Sequence, residues 1–493
     1  MKYIFIFSIS FILNIKVHSQ ALHFFTGSKI EDYDEVSFHL FDQDSLYLYA
    51  FHQTLQNYFL DVYEKESLNR TSLIKIPLPS KDTTQYTIKN LFIRKDTFQI
   101  FYSFFDYSNF CERLDMITFD INGVKIGETK IIDQSTGKNE IKAGDFSVIN
   151  RKRSNEFISY GYKNLKDTSY VNIDHFDYSG NKKYSQNFLF NNNFGYIVNS
   201  LIDNDCNLYH FTRNKSGNRN VNWNIRIYSP DIYQSKIIEL NVPSIQKIYL
   251  SNFFKSFIDN QGRVNILSPY SLSPTSKYAE GVYLVQLDSK TQTLIKESAI
   301  PFKVKKENDS EESDFSLSSC IIVATIPYGE NNLKIVFESR LETTATLYGI
   351  PIAREFDIGN IFTIDIDSSN EVKEIHKIRK QQLTSKERLK YTGFSILNYE
   401  NKSYFIYNEL PENLLRPPNK MKKVNSSKID KTKVIYTVVD NGKVIRKILI
   451  DKDPKSGIDA ILPNSYLTSL YKNEIYLLRK IKTDIFLTKI YIN

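Results

Sequence analysis

Tryptophan occurs once in the 493 residues, at Trp223, and cysteine three times, at Cys111, Cys206 and Cys320. Three distant thiols with no C-x-x-C pair exclude a dense disulfide framework and a cysteine-based zinc site, which needs clustered ligands. They read as buried or idle thiols. A single Trp argues against a tryptophan-lined sugar platform, although Tyr can take that role. Gly (17) and Pro (14) are too few for a fibrous or low-complexity chain. Past the N-terminus no apolar run approaches the length of a membrane span, so the chain does not read as an integral membrane protein. Catalytic signatures are missing too: no G-x-S-x-G elbow, no H-E-x-x-H and no glycine-rich phosphate loop. The seven His residues are scattered; His39, His52, His175 and His210 lie on or beside strands and His376 follows one, and each reads as structural. No cofactor is implied.

What is abundant is Tyr (33) and Phe (34), beside Ile and Val, within 41% hydrophobic content. Those residues suit pleated, half-buried strands, so the chain reads as globular and all-β. Residues 1–19, MKYIFIFSISFILNIKVHS, place Lys2 before an apolar run from Tyr3 to Ile15, then Val17-His18-Ser19. That is the pattern of a secretory signal peptide, with Gln20 starting a mature domain over 20–493 in the periplasm or outside the cell. The formal charge of +8 falls to +6 without Lys2 and Lys16. Solubility accounts for so mild an excess. Nucleic acid is not an expected partner of an exported chain without a recognition motif.

A register runs through the whole length. HLFDQDSLYLYAF begins at 39, NLFIRKDTFQIFY at 90, SVINRKRSNEFISY at 147, SLIDNDCNLYHF at 200 and SFIDNQGRVNIL at 256. TIPYGENNLKIVF begins at 325, SILNYENKSYFIY at 395 and SLYKNEIYLL at 469. Each is a short apolar strand, a polar turn and an aromatic-rich strand. Between them lie second hairpins such as TFDINGVKI, HFDYSGNKK and TVVDNGKVIRKI, whose Asn-Gly and Ser-Gly tips fit central residues with φ > 0. Four antiparallel strands per unit, repeated eight times, predict an eight-bladed β-propeller, with seven blades as the alternative. The last unit has only three strands of its own, Tyr466–Leu470, Glu474–Lys482 and Asp484–Asn493. Ala21–Thr26 is predicted to supply the fourth and close the ring.

Asp203, Asn204, Asp205 and Asn207 crowd oxygen ligands as a calcium loop does, but they occupy the turn that every other unit fills without such a set. The central Gly and downstream Glu of an EF-hand are also absent. They are therefore expected to be turn formers.

Links within hairpins fall on one face of such a ring, and links between strands two and three and between blades fall on the other. On that second face the connections are short in units one to three, moderate at 213–222, and long at 268–281, 338–359 and 408–431, with 303–314 joining units five and six. Binding residues collect on loops held by a rigid scaffold. Blades five to seven are therefore the expected site, with Tyr270, Tyr278, Arg340, Arg354, Glu355 and Arg416 as candidate ligand-binding residues. Arg and Tyr together stack on a sugar or grip a carboxylate. Read without a ligand, Arg354 and Glu355 are a solvated pair bracing their loop, and Lys420, Lys422 and Lys423 belong to a polar loop. The S-x-D-x-G-x-x-W box of sialidase propellers is missing.

Within residues 360–493, IRKQQLTSKERLKYTGFSI, YFIYNELPENLLR, VVDNGKVIRKILI and ILPNSYLTSLYKNEIYLLRKIK resemble the C-terminal blades of a family of exported bacterial repeat proteins with no assigned activity. The resemblance implies the compartment and the fold, and no functional residue. Relatives read Asn-Asp where this chain has Asn408-Glu409. The expectation is an exported, non-catalytic binding or scaffold protein meeting a protein or glycan at the cell envelope. The alternative is a carbohydrate-active hydrolase or lyase.

Overall fold

The computed structural model describes residues 22–492 apart from 31–36, 44–45, 54–56, 79–85, 95–96, 138–144, 152–155, 165–167, 192–195, 204, 206, 217–219, 230–234, 243–248, 251–253, 274, 277, 306–311, 315, 330, 348–349, 401, 418–419, 441–442, 452–456 and 469–472. Residues 1–19, where the sequence predicts a signal segment, and Asn204 and Cys206 thus lie outside the described residues, while Cys111 and Cys320 are free and buried. Eight small antiparallel sheets follow one another along the chain and form a ring, an eight-bladed β-propeller. Blade one comprises Ser37–Gln43, Tyr47–Gln53, Tyr58–Glu64 and Arg70–Ile76, each paired with the next. Blades two to seven repeat that order within 87–136, 145–191, 196–240, 249–301, 320–385 and 395–450. In blade five the inner strand is split into Tyr249–Leu250 and Lys255–Ile258.

Blade eight combines the two ends of the chain, as the strand count predicts. Asp459–Thr468, Glu474–Ile481 and Asp484–Ile492 are followed in the sheet by Leu22–Ile30, which pairs from Leu22↔Ile492 to Ile30↔Ile485. The inner strand starts earlier than the sequence pattern suggested, because Ala460, Ile461 and Leu462 are all buried against neighbouring blades. A register shift between Leu462 and Tyr466 absorbs the extra residues. Arg479 holds Asp459 through two bonds of 2.7 Å and donates to Thr26 Oγ1 at 2.9 Å, so the closure carries a charge-assisted clamp.

Packing explains the ring. Because each blade has a neighbour on both faces, its second strand is buried on both faces rather than on alternate residues. Thr97–Asp106 is buried at nine of its ten positions, whereas the outermost strand of the same blade, Lys125–Thr136, is mostly exposed. Eight apolar clusters result among the described residues, one for each junction between consecutive blades, including blade eight against blade one. The junction of blades two and three is a phenylalanine stack, with ring centroids of Phe101 and Phe157 4.8 Å apart and of Phe157 and Phe176 4.9 Å apart. Truncating such a ring to Ala costs about 3–5 kcal/mol. Polar residues on inner strands add staples to the next blade. Asn90 Nδ2 donates to Val148 O at 2.7 Å, Asn199 Nδ2 to Phe254 O at 3.1 Å and Ser395 Oγ to Pro463 O at 2.7 Å.

The Asp-bearing turns share one construction. Asp203 Oδ1 accepts from the backbone N–H of Asp205 and of Asn207, both at 2.9 Å, while Oδ2 accepts from Asn207 Nδ2 and Tyr209 Oη at 2.8 Å. Asp120, Asp259 and Asp367 likewise accept from the N–H groups two and four residues on. The residue three on has positive φ in each: Gly123, Gly262 and Asn370. Asp203 is therefore a turn former, as expected from its place in the repeat.

Candidate binding face

On the side opposite the hairpin turns, the ring is uneven. The link between strands two and three of blade two is the short turn 107–110 between Asp106 and Cys111. Blade four is plain too: Ser216 pairs with Asn220, so its expected moderate loop is almost entirely strand. Blades five to seven differ, and their insertions are more ordered than loops. In blade six, 338–359 is the extension of a hairpin made by Asn332–Leu347 and Ile350–Ile366. Its β-branched, alternating composition (Thr343, Thr344, Thr346, Ile350, Ile352) carries the strand pattern beyond the blade.

Neighbouring segments then pair onto that extension. Gln382–Ser385 pairs with Glu355–Ile358, and Val424–Asn425 from the blade-seven insertion adds in parallel to Gln382–Leu383. From blade five, Tyr278–Ala279 pairs with Leu317–Ser318, and the next residue, Ser319, accepts the Arg340 N–H through its carbonyl at 2.7 Å. The linker 303–314 forms its own short ladder, Lys303–Lys305 with Glu312–Asp314. The 3₁₀ turns Pro411–Leu414 and Ser426–Lys431 complete the blade-seven part. Tyr391 and Ile429, both buried, seat the layer into the apolar junction of blades eight and one. Three insertions that sequence pattern treats separately thus form one hydrogen-bonded layer.

Beneath it lies a buried polar core. Lys380, wholly buried, donates to Glu338 Oε1 at 2.6 Å and to Gln382 Oε1 at 3.2 Å. Gln382 Nε2 donates to Asn408 O at 3.0 Å, and its Oε1 accepts the Gly393 N–H at 2.9 Å. Asn408 reaches blade eight: Nδ2 donates to Ile461 O at 2.8 Å and Oδ1 accepts the Ile461 N–H at 3.0 Å. Glu409 Oε1 accepts from the Leu410 N–H at 2.9 Å and from Asn413 Nδ2 at 2.7 Å. Its Oε2 is buried without a hydrogen bond. Burial pushes the Glu409 carboxyl up to about 7, with those two hydrogen bonds opposing, and burial also lowers the Lys380 ammonium, opposed by Glu338. Asn413 in turn exchanges two bonds of 2.8 Å with the Lys422 backbone, which fixes the far end of the insertion.

The candidate residues fall in two groups. Tyr270 is a correction: it is 4% exposed and packs in the junction of blades four and five, because it lies inside strand Arg263–Ser271. Its ring occupies the space that a side chain at position 281 would need, which explains Gly281. Tyr278, Arg340, Arg354 and Glu355 are exposed on the layer, and Arg416 is half-buried at its edge. Arg340 lies over the Phe356 ring, with 5.6 Å from its guanidinium to the centroid. Arg354 pairs with Glu342 across the hairpin at 3.4 Å, and not with Glu355. Arg416 and Lys422 share Glu412, each at 3.0 Å, and Lys423 reaches Asp357 of blade six at 2.6 Å. The basic run is thus partly a brace between two insertions. Leu272, Tyr278, Leu341 and Leu415 add exposed apolar surface, Leu415 at 92%. Sequence reasoning missed Lys380, Gln382 and Asn413. Their signal was a charged and amide-rich stretch, RKQQ, directly after a blade's last strand, with nothing to say that other insertions would cover it.

No protein-family model matches the chain, and no curated protein matches it significantly in sequence. Solved structures to which it is similar include the WD40 domain of SCAP from fission yeast, at 9% identity and TM-score 0.38, covering 95% of this chain and 98% of that one. The polysaccharide lyase Uly1 is similar at 10% identity and TM-score 0.37, covering 97% of this chain and 98% of that one. The β-propeller domain of the Trilobed protease from Pyrococcus furiosus follows at 12% identity and TM-score 0.35, covering 85% and 97%. At such scores these likenesses carry no functional argument, and the fold rests on the chain's own sheets.

Proposed function

We propose that this chain is an exported, non-catalytic binding or scaffold protein that engages a protein or glycan of the cell envelope through the layer on blades five to seven. The observation that carries the reading is the mutual strand pairing of three insertions on one sector, with exposed Tyr, Arg and Leu above a buried polar core. Ordering a surface in advance lowers the entropy lost on association. Exposed aromatic and Arg side chains on such a surface are the types that anchor interfaces. Charged pairs at its rim favour orientation over raw affinity. Catalysis finds less support. The eight inner strands contain only three carboxylates, Asp42, Asp145 and Asp459. The last of these is committed to Arg479.

The test is a thermal-shift panel on residues 20–493 with neutral and acidic polysaccharides, run beside Tyr278→Ala/Arg354→Ala. A ligand at a hundred times its Kd adds about 2.7 kcal/mol to stability. A glycan that raises the melting temperature of the parent chain and not of the variant supports the reading. Hydrolysis or elimination of any of these polysaccharides by the parent chain would replace it with the lyase or hydrolase reading.

A further inference from the structure

Blade six carries a second polar cluster, far from the layer and close to its own hairpin turn at 367–371. Asp365 on the third strand is opposite Glu374 on the fourth, and Thr363 is opposite His376. Ile364 and Ile375, between them, pack into the junction with blade five. Strand alternation therefore turns Thr363, Asp365, Glu374 and His376 to the other face. His376 is inside strand Val372–Ile378 and not after it, as the sequence suggested. Its Nε2 is 2.8 Å from Glu374 Oε2, and one oxygen of Asp365 completes a set of three ligand atoms within 4.8 Å of one another.

Two features set this cluster apart from an ordinary acidic surface. Asp365 is 9% exposed, and its Oδ1 accepts no hydrogen bond and is met by a long ion pair, 3.8 Å from Lys334 Nζ. Thr363, 1% exposed and directly beside His376 in the ladder, has a buried Oγ1 that also lacks a hydrogen bond. A buried oxygen without a donor costs free energy, and both residues are paired in the ladder with a member of the His376–Glu374 pair.

We propose that Asp365, Glu374 and His376 bind a divalent transition-metal ion of the zinc class. One imidazole and two carboxylates with an open position form the donor set of a three-ligand zinc site, with bonds of about 2.0–2.2 Å. Oxygen-only calcium coordination needs six to eight ligands and does not suit it. At the zinc bond lengths tetrahedral ligand atoms lie about 3.4 Å apart, so the 2.8 Å His376–Glu374 contact opens and the wider separations within the 4.8 Å set close. Glu374, whose side chain is 57% exposed, has the freedom to supply that movement. Lys334 then acts as a competing cation, so its removal tightens metal binding.

The experiment is calorimetric titration of chelator-stripped 20–493 with zinc chloride, with manganese and calcium chlorides as comparisons. The expected result is one zinc per chain, weaker by at least about tenfold in both His376→Asn and Glu374→Gln, tighter by a few-fold in Lys334→Met, and no calcium binding. Glu374→Gln keeps the test decisive if the buried-side His376 change disturbs folding, since residue 374 is exposed on the outermost strand. Zinc that binds both variants as tightly as the parent, or no saturable zinc binding by the folded parent chain, overturns the proposal. The first of those results would assign the zinc to another histidine.

Discussion

Blades one to four and blades five to seven are built on the same four-strand unit, yet they treat the two sides of the ring differently. In the first group, polar side chains either satisfy their own turn, as Asp203 does for two backbone N–H groups, or staple one blade to the next, as Asn90 and Asn199 do. In the second, the side away from the hairpins is raised into a layer whose buried groups connect segments far apart in sequence: Lys380 to Glu338, and Asn408 to Ile461. The contrast separates two uses of a repeat. A plain blade holds the ring, while an elaborated one spends extra chain on a surface with its own interior.

Breaking that interior should have the largest effect. Lys380→Met leaves Glu338 buried without its partner and is expected to destabilise the chain by about 3–5 kcal/mol in chemical denaturation, while Lys380→Met/Glu338→Met recovers most of the loss. The pH dependence of the layer comes next. Because the Glu409 carboxyl is raised in the folded state to about 7 from an ordinary 4.5, the folded chain binds the proton more tightly than the unfolded one. Its contribution is therefore full below pH 4.5 and is lost as pH rises towards 7. Glu409→Gln should remove that slope and be the more stable form at pH 8, by on the order of 3 kcal/mol, read from denaturation midpoints across pH 4–8. On the plain side, Asp203→Ala should cost about 2 kcal/mol, because Tyr209 Oη and two N–H groups lose their acceptor, with the layer's hydrogen-exchange protection unchanged. Smallest of all, Arg354→Ala breaks an ion pair whose side chains are 62% and 47% exposed, and should move stability by less than about 1 kcal/mol.

The sequence carried the ring further than the layer, for a physical reason. Blade identity repeats: the apolar inner strand, the Asp turn and the aromatic second strand recur with a period that one chain displays eight times. Even the pairing of Leu22–Ile30 with Asp484–Ile492 followed from counting strands. Nothing repeats in the insertions. Thr343 to Ile358 carries strand chemistry but breaks the period and so reads as part of the long connection 338–359, and Tyr270 reads as surface because it falls in the long connection 268–281. The burial of Lys380 and Glu409 depends on contacts among residues 338, 380, 408 and 413, whose proximity no local pattern encodes. The metal-type cluster at Asp365, Glu374 and His376 was hidden in the same way, since strand pairing joins its members.

If the two sectors differ in function as well as in construction, the difference is read by quantitative capture from a cell-envelope extract by immobilised 20–493, comparing Tyr278→Ala/Arg354→Ala on the layer with Tyr107→Ala/Phe110→Ala on the same side of blade two. Both pairs change exposed residues, so folding is preserved in each. The layer variant is expected to lose at least about tenfold of a saturable partner while the blade-two variant retains it. Equal retention by both, or loss confined to the blade-two variant, would contradict that expectation.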